Sequence, residues 1–73
     1  MQAGNSNGVS YLDRIRRTEG ADKCTGVFRD LLRKDLRRAM GLLNDSRLSF
    51  PSLYLLRAEV RQPAAQRYLS RRN

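Results

Sequence analysis

The chain has 73 residues, enough for one small domain, and carries a formal charge of +8 with no histidine and one cysteine. The lack of histidine removes the commonest general base and metal ligand, and a lone Cys24 excludes an intrachain disulfide and a cysteine-cluster zinc site. The charge comes mainly from arginine, since Lys23 and Lys34 are the only lysines. A domain this basic commonly binds nucleic acid, an anionic membrane or an acidic protein surface.

The amino-terminal part predicts a tail followed by a short helix. Residues 1–9 are rich in Gly, Asn and Ser, which predicts a flexible, disordered tail and does not match a secretory signal. A first helix is expected over about residues 11–17, with Leu12 and Ile15 facing inward and Gly20 as its stop. No apolar run approaches about 18 residues, so we expect no membrane-spanning segment and a cytoplasmic protein.

Residues 27–43 predict a second, longer helix with two distinct faces. Thr25 is the expected N-cap, and the helix should end near Asn44, where turn-forming residues begin. Gly41 near its end suggests a close approach by another helix, or else an early end to this one. At about 100° per residue, the apolar face carries Phe28, Leu32, Leu36, Ala39, Met40 and Leu43. The opposite face carries Arg29, Arg33, Lys34, Arg37 and Arg38.

The carboxyl-terminal part predicts two further helices. Pro51 suits the first turn of a helix over residues 51–61, and Pro63 ends that helix and begins a last short one over residues 63–69. No segment alternates like a strand. The predicted fold is all-α, a small bundle of three to four helices. In it, residues 10–70 form a single domain between the tail of residues 1–9 and a basic tail of residues 71–73.

The arginine face is the first candidate binding surface. Arg29, Arg33 and Arg37 are four residues apart, so their like charges repel one another on one stripe of a continuous helix. Such repulsion is better tolerated if an anion neutralises it, and the face therefore predicts an anionic partner. The alternative interpretation is an ordinary solvated face.

The basic carboxyl-terminal end is the second candidate. Arg67, Arg71 and Arg72 lie near Tyr68, and a mixture of guanidinium groups and an aromatic ring suits phosphates and unstacked bases. A frayed end that only adds solubility is the alternative.

Other residues predict structural roles. Asp35 lies inside or beside the apolar face, so we expect an ion pair with Arg57, or else with Arg14, because an unpaired buried charge is costly. Phe50, Tyr54 and Leu55 form a third candidate surface: an exposed Leu55 beside Tyr54 would anchor a protein interface, but we expect Leu55 to pack under the last helix instead. No catalytic constellation or Gly-rich phosphate loop occurs, which predicts a non-enzyme with no cofactor and no small-molecule substrate.

The chain resembles the small phage-encoded transcription regulators of the lytic Xanthomonas phage type. The resemblance rests on its length and composition, which include the arginine-rich run of residues 29–38 and the basic end of residues 67–73. The resemblance implies a protein that binds the host RNA polymerase in the bacterial cytoplasm, inhibits initiation and suppresses intrinsic termination. No residue role follows from the resemblance itself; our hypothesis for such a function is that Arg33 and Arg37 pair with polymerase carboxylates while the remaining charge holds nascent RNA.

Two alternatives to this function stay open. A direct DNA- or RNA-binding protein, such as a phage or plasmid regulator or a ribosome-associated protein, would contact phosphates with the same arginine face. An inhibitor that covers an acidic host protein would use that face without any polymerase.

Overall fold

A computed structural model describes residues 7–71, except for the side chains of Asn7 and Arg71. Over this range the chain is all-α, as predicted, with no strand and with five helices instead of three to four. The helices are α1 (Asn7–Glu19), α2 (Ala21–Lys34), α3 (Leu36–Leu42), α4 (Phe50–Val60) and α5 (Pro63–Arg71). Helix α2 contacts each of the other four and is the centre of the bundle.

Helix α1 begins three residues earlier than the predicted domain boundary. Val9, which the sequence predicts to be in the tail, is only 3% exposed and extends the apolar stripe of Leu12 and Ile15 into the core. This burial explains why the boundary at residue 9 was wrong. Residues 1–6 of the predicted tail lie outside the described range, and so do residues 72–73 at the other end.

Gly20 alone connects α1 to α2. Its backbone has φ 103° and ψ 165°, a conformation that is almost restricted to glycine. Its N–H donates to the Ile15 and Arg16 carbonyls at 3.1 and 3.2 Å, which closes the end of α1 as predicted. Because α2 begins at once, Thr25 lies inside the helix, where its hydroxyl donates to the Asp22 carbonyl, and it is not the N-cap.

The helix predicted over residues 27–43 is interrupted at Asp35. This residue has φ −151° and ψ 82°, while its N–H still donates to the Leu31 carbonyl at 2.7 Å and ends α2. Its carboxylate accepts a hydrogen bond from the Arg38 N–H at 3.2 Å and caps α3. Aspartate is a weak helix former and a strong N-cap, so one residue both ends one helix and starts the next.

The core is built mainly from α1 and α2. Phe28 and Ala39 are fully buried, Leu32 is 1% exposed, and Leu36, Met40 and Leu43 are partly buried against them. The predicted apolar face is therefore confirmed in spite of the interruption. The buried residues are Val9, Leu12, Ile15, Cys24, Phe28, Leu32, Ala39, Leu48, Leu56 and Ala65.

A polar link ties α1 to the start of α4. The Asp13 carboxylate accepts hydrogen bonds from the Ser49 hydroxyl at 2.7 Å and from the Ser49 N–H at 3.3 Å. Arg16 donates through Nε to the Ser52 hydroxyl at 2.7 Å, and Ser52 is fully buried. Ser49 is the N-cap of α4 and Pro51 occupies its first turn, so α1 supplies a carboxylate at the positive end of the α4 dipole.

The ionisation of Asp13 is coupled to folding. Burial alone would raise the pKa of Asp13, but the hydroxyls of Ser52 and Ser49, the Ser49 N–H and the Arg16 charge together lower it below its ordinary value of 3.8. A carboxyl whose pKa is lower in the folded chain stabilises the fold above its unfolded pKa. This stability is lost as the pH falls through the folded value.

We expect Asp13→Asn to lower the melting temperature at neutral pH and to flatten the decline in melting temperature below about pH 4. Circular-dichroism melts over an acid pH series measure both effects. Asp22→Asn is the control for the loss of a carboxylate at a helix N-terminus, because Asp22 is exposed in the first turn of α2 and its replacement should change the acid slope less than Asp13→Asn does. An Asp13→Asn protein with the wild-type acid slope would contradict this role.

Candidate anion-binding groove

The sequence predicts Arg29 on the binding face, but this prediction is wrong because its side chain has a structural role. Its Nε donates to the Glu59 carboxylate of α4 at 2.8 Å. Glu59 is only 8% exposed, so this ion pair compensates a carboxylate that is largely removed from water. The hydrogen bond to Glu59 and its charge raise the pKa of Arg29. Arg29 therefore joins α2 to α4 and is not available as a free cation.

Arg33 and Lys34 are partly neutralised within α2. Both pair with the carboxylate of Asp30, and the Lys34 Nζ lies 3.6 Å from Asp30 Oδ2. All three side chains are about half exposed or more, so these pairs are weak and an external anion could replace Asp30. Much of the predicted arginine face therefore carries its own counter-charge.

Arg37 and Arg38 belong to α3 and are separated from that face by the interruption at Asp35. Both are exposed, and neither forms an ion pair with any carboxylate in the described part of the chain. The predicted stripe of Arg29, Arg33 and Arg37 is thus not continuous.

Arg38 instead lies across from α1, where two adjoining cavities of about 390 and 410 Å³ share Gly8, Tyr11 and Arg38 as lining residues. Arg14 lines one cavity, and Lys34 and Asp30 line the other. We call this concave surface the basic groove; its polar side chains are Ser10, Tyr11, Arg14, Lys34 and Arg38, with Asp30 as the one acid. Three helices contribute to it.

Two local features fix the α1 side of the basic groove. The Arg14 guanidinium lies over the Tyr11 ring, 5.9 Å from its centre, which holds the charge in place by a cation–π contact. A Cβ added at Gly8 would come within 3.0 Å of Leu42 Cδ2, so glycine permits α1 to approach the end of α3 closely. By contrast, a Cβ at Gly41 would meet nothing within 4 Å, and the expected close approach there is wrong.

Sequence reasoning missed Tyr11 and Arg14 as candidate binding residues. Their spacing of three residues on a helix could have indicated the cation–π pair. Their position opposite Arg38 depends on the packing of α1 against α2 and α3, for which the linear sequence carries no signal.

The expected ion pair between Asp35 and Arg57 is not formed. Asp35 is exposed and engaged in capping α3, so it is not a buried charge that needs a partner, and Arg57 is exposed on α4. Arg67 is exposed on α5. The side chain of Arg71 and the whole of Arg72 lie outside what the structure describes, so the predicted basic end stays a prediction.

Helix α4 presents a second notable surface. Phe50 and Tyr54 are 83% and 81% exposed, whereas Leu55 is partly buried against the core, as expected. Arg57 lines the cavity beside the two aromatic rings. No residue of this cavity lines the basic groove.

Residues 7–71 were compared with the requirements of a metal site and of a membrane-spanning helix. No group of three or more potential metal ligands occurs in this range, and none of its helices combines the length and apolar character that crossing a membrane requires. Comparisons of the chain with known protein families, with curated proteins and with solved structures found no match.

If Arg29 is structural, Arg29→Gln should lower the melting temperature clearly, because Glu59 then keeps a nearly buried charge without its partner. Arg33→Gln is the matched control, since it breaks only an exposed pair and should change the melting temperature little. Thermal melts by circular dichroism compare the two variants. Equal melting temperatures would contradict the structural assignment of Arg29.

Proposed function

We propose that this protein binds nucleic acid and that the basic groove holds its phosphates. The observation that carries the proposal is the convergence of Arg14, Lys34 and Arg38 on one concave surface. Of these three cations, Arg14 and Arg38 have no carboxylate partner in the described chain. Phosphate oxygens would accept hydrogen bonds from these groups, and the planar guanidinium groups suit them in particular.

Tyr11 supports nucleic acid as the anion. Tyr11 is 46% exposed and borders the same cavities, so part of the residue not covered by Arg14 is accessible to an unstacked base. An aromatic ring beside phosphate-binding arginines is typical of proteins that bind single-stranded RNA or DNA. The net charge of +8 would attract such a polyanion from a distance.

The proposal retains part of the predicted arginine face. Lys34 and Arg38 line the basic groove, and Arg37 adds exposed charge on the same short helix α3. Arg29 is excluded by its pair with Glu59, and Arg33 has a partner in Asp30. The binding charge is therefore spread over α1, α2 and α3 instead of one long helix.

We expect Arg14→Gln and Arg38→Gln each to weaken binding of a labelled single-stranded oligouridylate about tenfold, the effect of losing one charged hydrogen bond. Each variant should also reduce the slope of log affinity against log salt by about 0.7. Fluorescence anisotropy over a salt series measures both quantities. A labelled DNA duplex in parallel distinguishes the preferred nucleic acid.

Arg17→Gln is the matched control for these variants. Arg17 is exposed on α1 and does not line the basic groove, so its loss removes the same charge from a different place. If Arg17→Gln weakens binding as much as Arg38→Gln, attraction is diffuse and the groove is not the site. Undetectable binding of both nucleic acids at low salt would refute the function itself.

A second candidate is the regulation of transcription through the host RNA polymerase, by inhibiting initiation and suppressing intrinsic termination. The favouring observation is Arg37, which is exposed and has no ion pair in the described residues, and so could pair with a polymerase carboxylate. Either activity would take place in a bacterial cytoplasm.

A pull-down with tagged protein from bacterial lysate, with and without nuclease, separates the two candidates. Polymerase subunits that persist after nuclease treatment and disappear with Arg37→Glu would support the polymerase interaction. Loss of every partner on nuclease treatment would rule it out in favour of direct nucleic-acid binding.

A further inference from the structure

The outward face of α4 combines aromatic and cationic side chains in a regular stripe. Phe50, Tyr54 and Arg57 of α4 and its C-cap Arg61 follow one another at intervals of four, three and four residues, which places them on one side of the helix. The buried residues Ser52, Leu56 and Glu59 repeat on the opposite side. We call this stripe, with Pro51 and Leu53 beside it, the α4 surface.

The exposure of the two rings has no explanation within the fold. Phe50 and Tyr54 leave more than four fifths of their surface in water, although aromatic side chains of this size are normally at least partly covered. Together with Pro51, Leu53 and Arg57 they line a cavity of about 400 Å³ that is mostly apolar. Adjacent exposed apolar residues of this kind mark interaction sites.

The charges around the cavity indicate the chemistry of its partner. The acid of α4, Glu59, lies on the core side and is paired with Arg29, so the α4 surface carries Arg57 and Arg61 without a carboxylate of α4. A complementary partner therefore presents carboxylates around an apolar side chain. A second copy of this chain fits poorly, because each copy carries a charge of +8.

We propose that the α4 surface docks an acidic polypeptide segment. An aromatic or aliphatic side chain of the segment enters the cavity beside Phe50 and Tyr54, and its neighbouring carboxylates pair with Arg57 and Arg61. Phenylalanine, tyrosine and arginine are enriched in the centres of protein interfaces, where a few such residues supply most of the affinity.

The lining of the cavity favours a polypeptide over a nucleic acid as the occupant. Leu53 and Pro51 add aliphatic walls, which suit an inserted side chain, whereas a base stacks on an open aromatic face. This inference is independent of the basic groove, because the two surfaces share no lining residue.

The test compares two labelled polyanions by fluorescence anisotropy: polyglutamate, and a random copolymer of glutamate and tyrosine of the same length. The wild-type protein should bind the copolymer about tenfold more tightly, because only the copolymer supplies an apolar side chain for the cavity. The double variant Phe50→Ser/Tyr54→Ser should lose this preference while its affinity for polyglutamate stays within about twofold. Both residues are exposed, and circular dichroism verifies that the variant folds.

Of the two arginines of the α4 surface, Arg57 lines the cavity and is tested with Arg57→Gln. This variant should weaken binding of the copolymer more than the charge-matched Arg17→Gln does. Equal affinity of the wild-type protein for the two polymers would overturn the proposal. So would a double variant that retains the preference for the copolymer. A double variant that loses about tenfold affinity for oligouridylate instead would identify the α4 surface as a base-stacking surface.

Discussion

The change of direction at Asp35 determines how this protein distributes its positive charge. A continuous helix over residues 27–43 would align its arginines on one stripe, where they would repel one another. Because Asp35 is both the C-cap of α2 and the N-cap of α3, Arg37 and Arg38 lie on a separate short helix. Arg38 then lines the same cavities as Gly8 and Tyr11 of α1, and the basic groove forms from residues of α1, α2 and α3.

Three of the seven carboxylates hold the helices in this arrangement. Asp13 joins α1 to the start of α4, Glu59 joins α4 to Arg29 of α2, and Asp35 caps α3. These three acids are engaged within the fold, whereas Asp30 and Asp45 lie nearer the surface and pair with Arg33, Lys34 and Arg47. Arg14, Arg37 and Arg38 keep no carboxylate partner among the described residues, so positive charge stays exposed around the basic groove.

Sequence reasoning predicted the features that depend on local chemistry. The 3.6-residue periodicity identified Phe28, Leu32 and Ala39 as core residues, and Gly20 and Pro51 marked helix ends that the structure has. The break at Asp35 was missed because the apolar pattern continues through it and the capping role of an aspartate competes with that pattern. That Tyr11, Arg14 and Arg38 line one cavity could not be predicted, since their proximity arises from the packing of separate helices.

The most direct test of the basic groove is an NMR titration of the ¹⁵N-labelled protein with a short single-stranded oligouridylate. The account predicts that the largest chemical-shift changes occur at Gly8, Tyr11, Arg14 and Arg38, with smaller changes along the arginines that have partners. Changes concentrated on α4, or at Arg29 and Arg33, would contradict it.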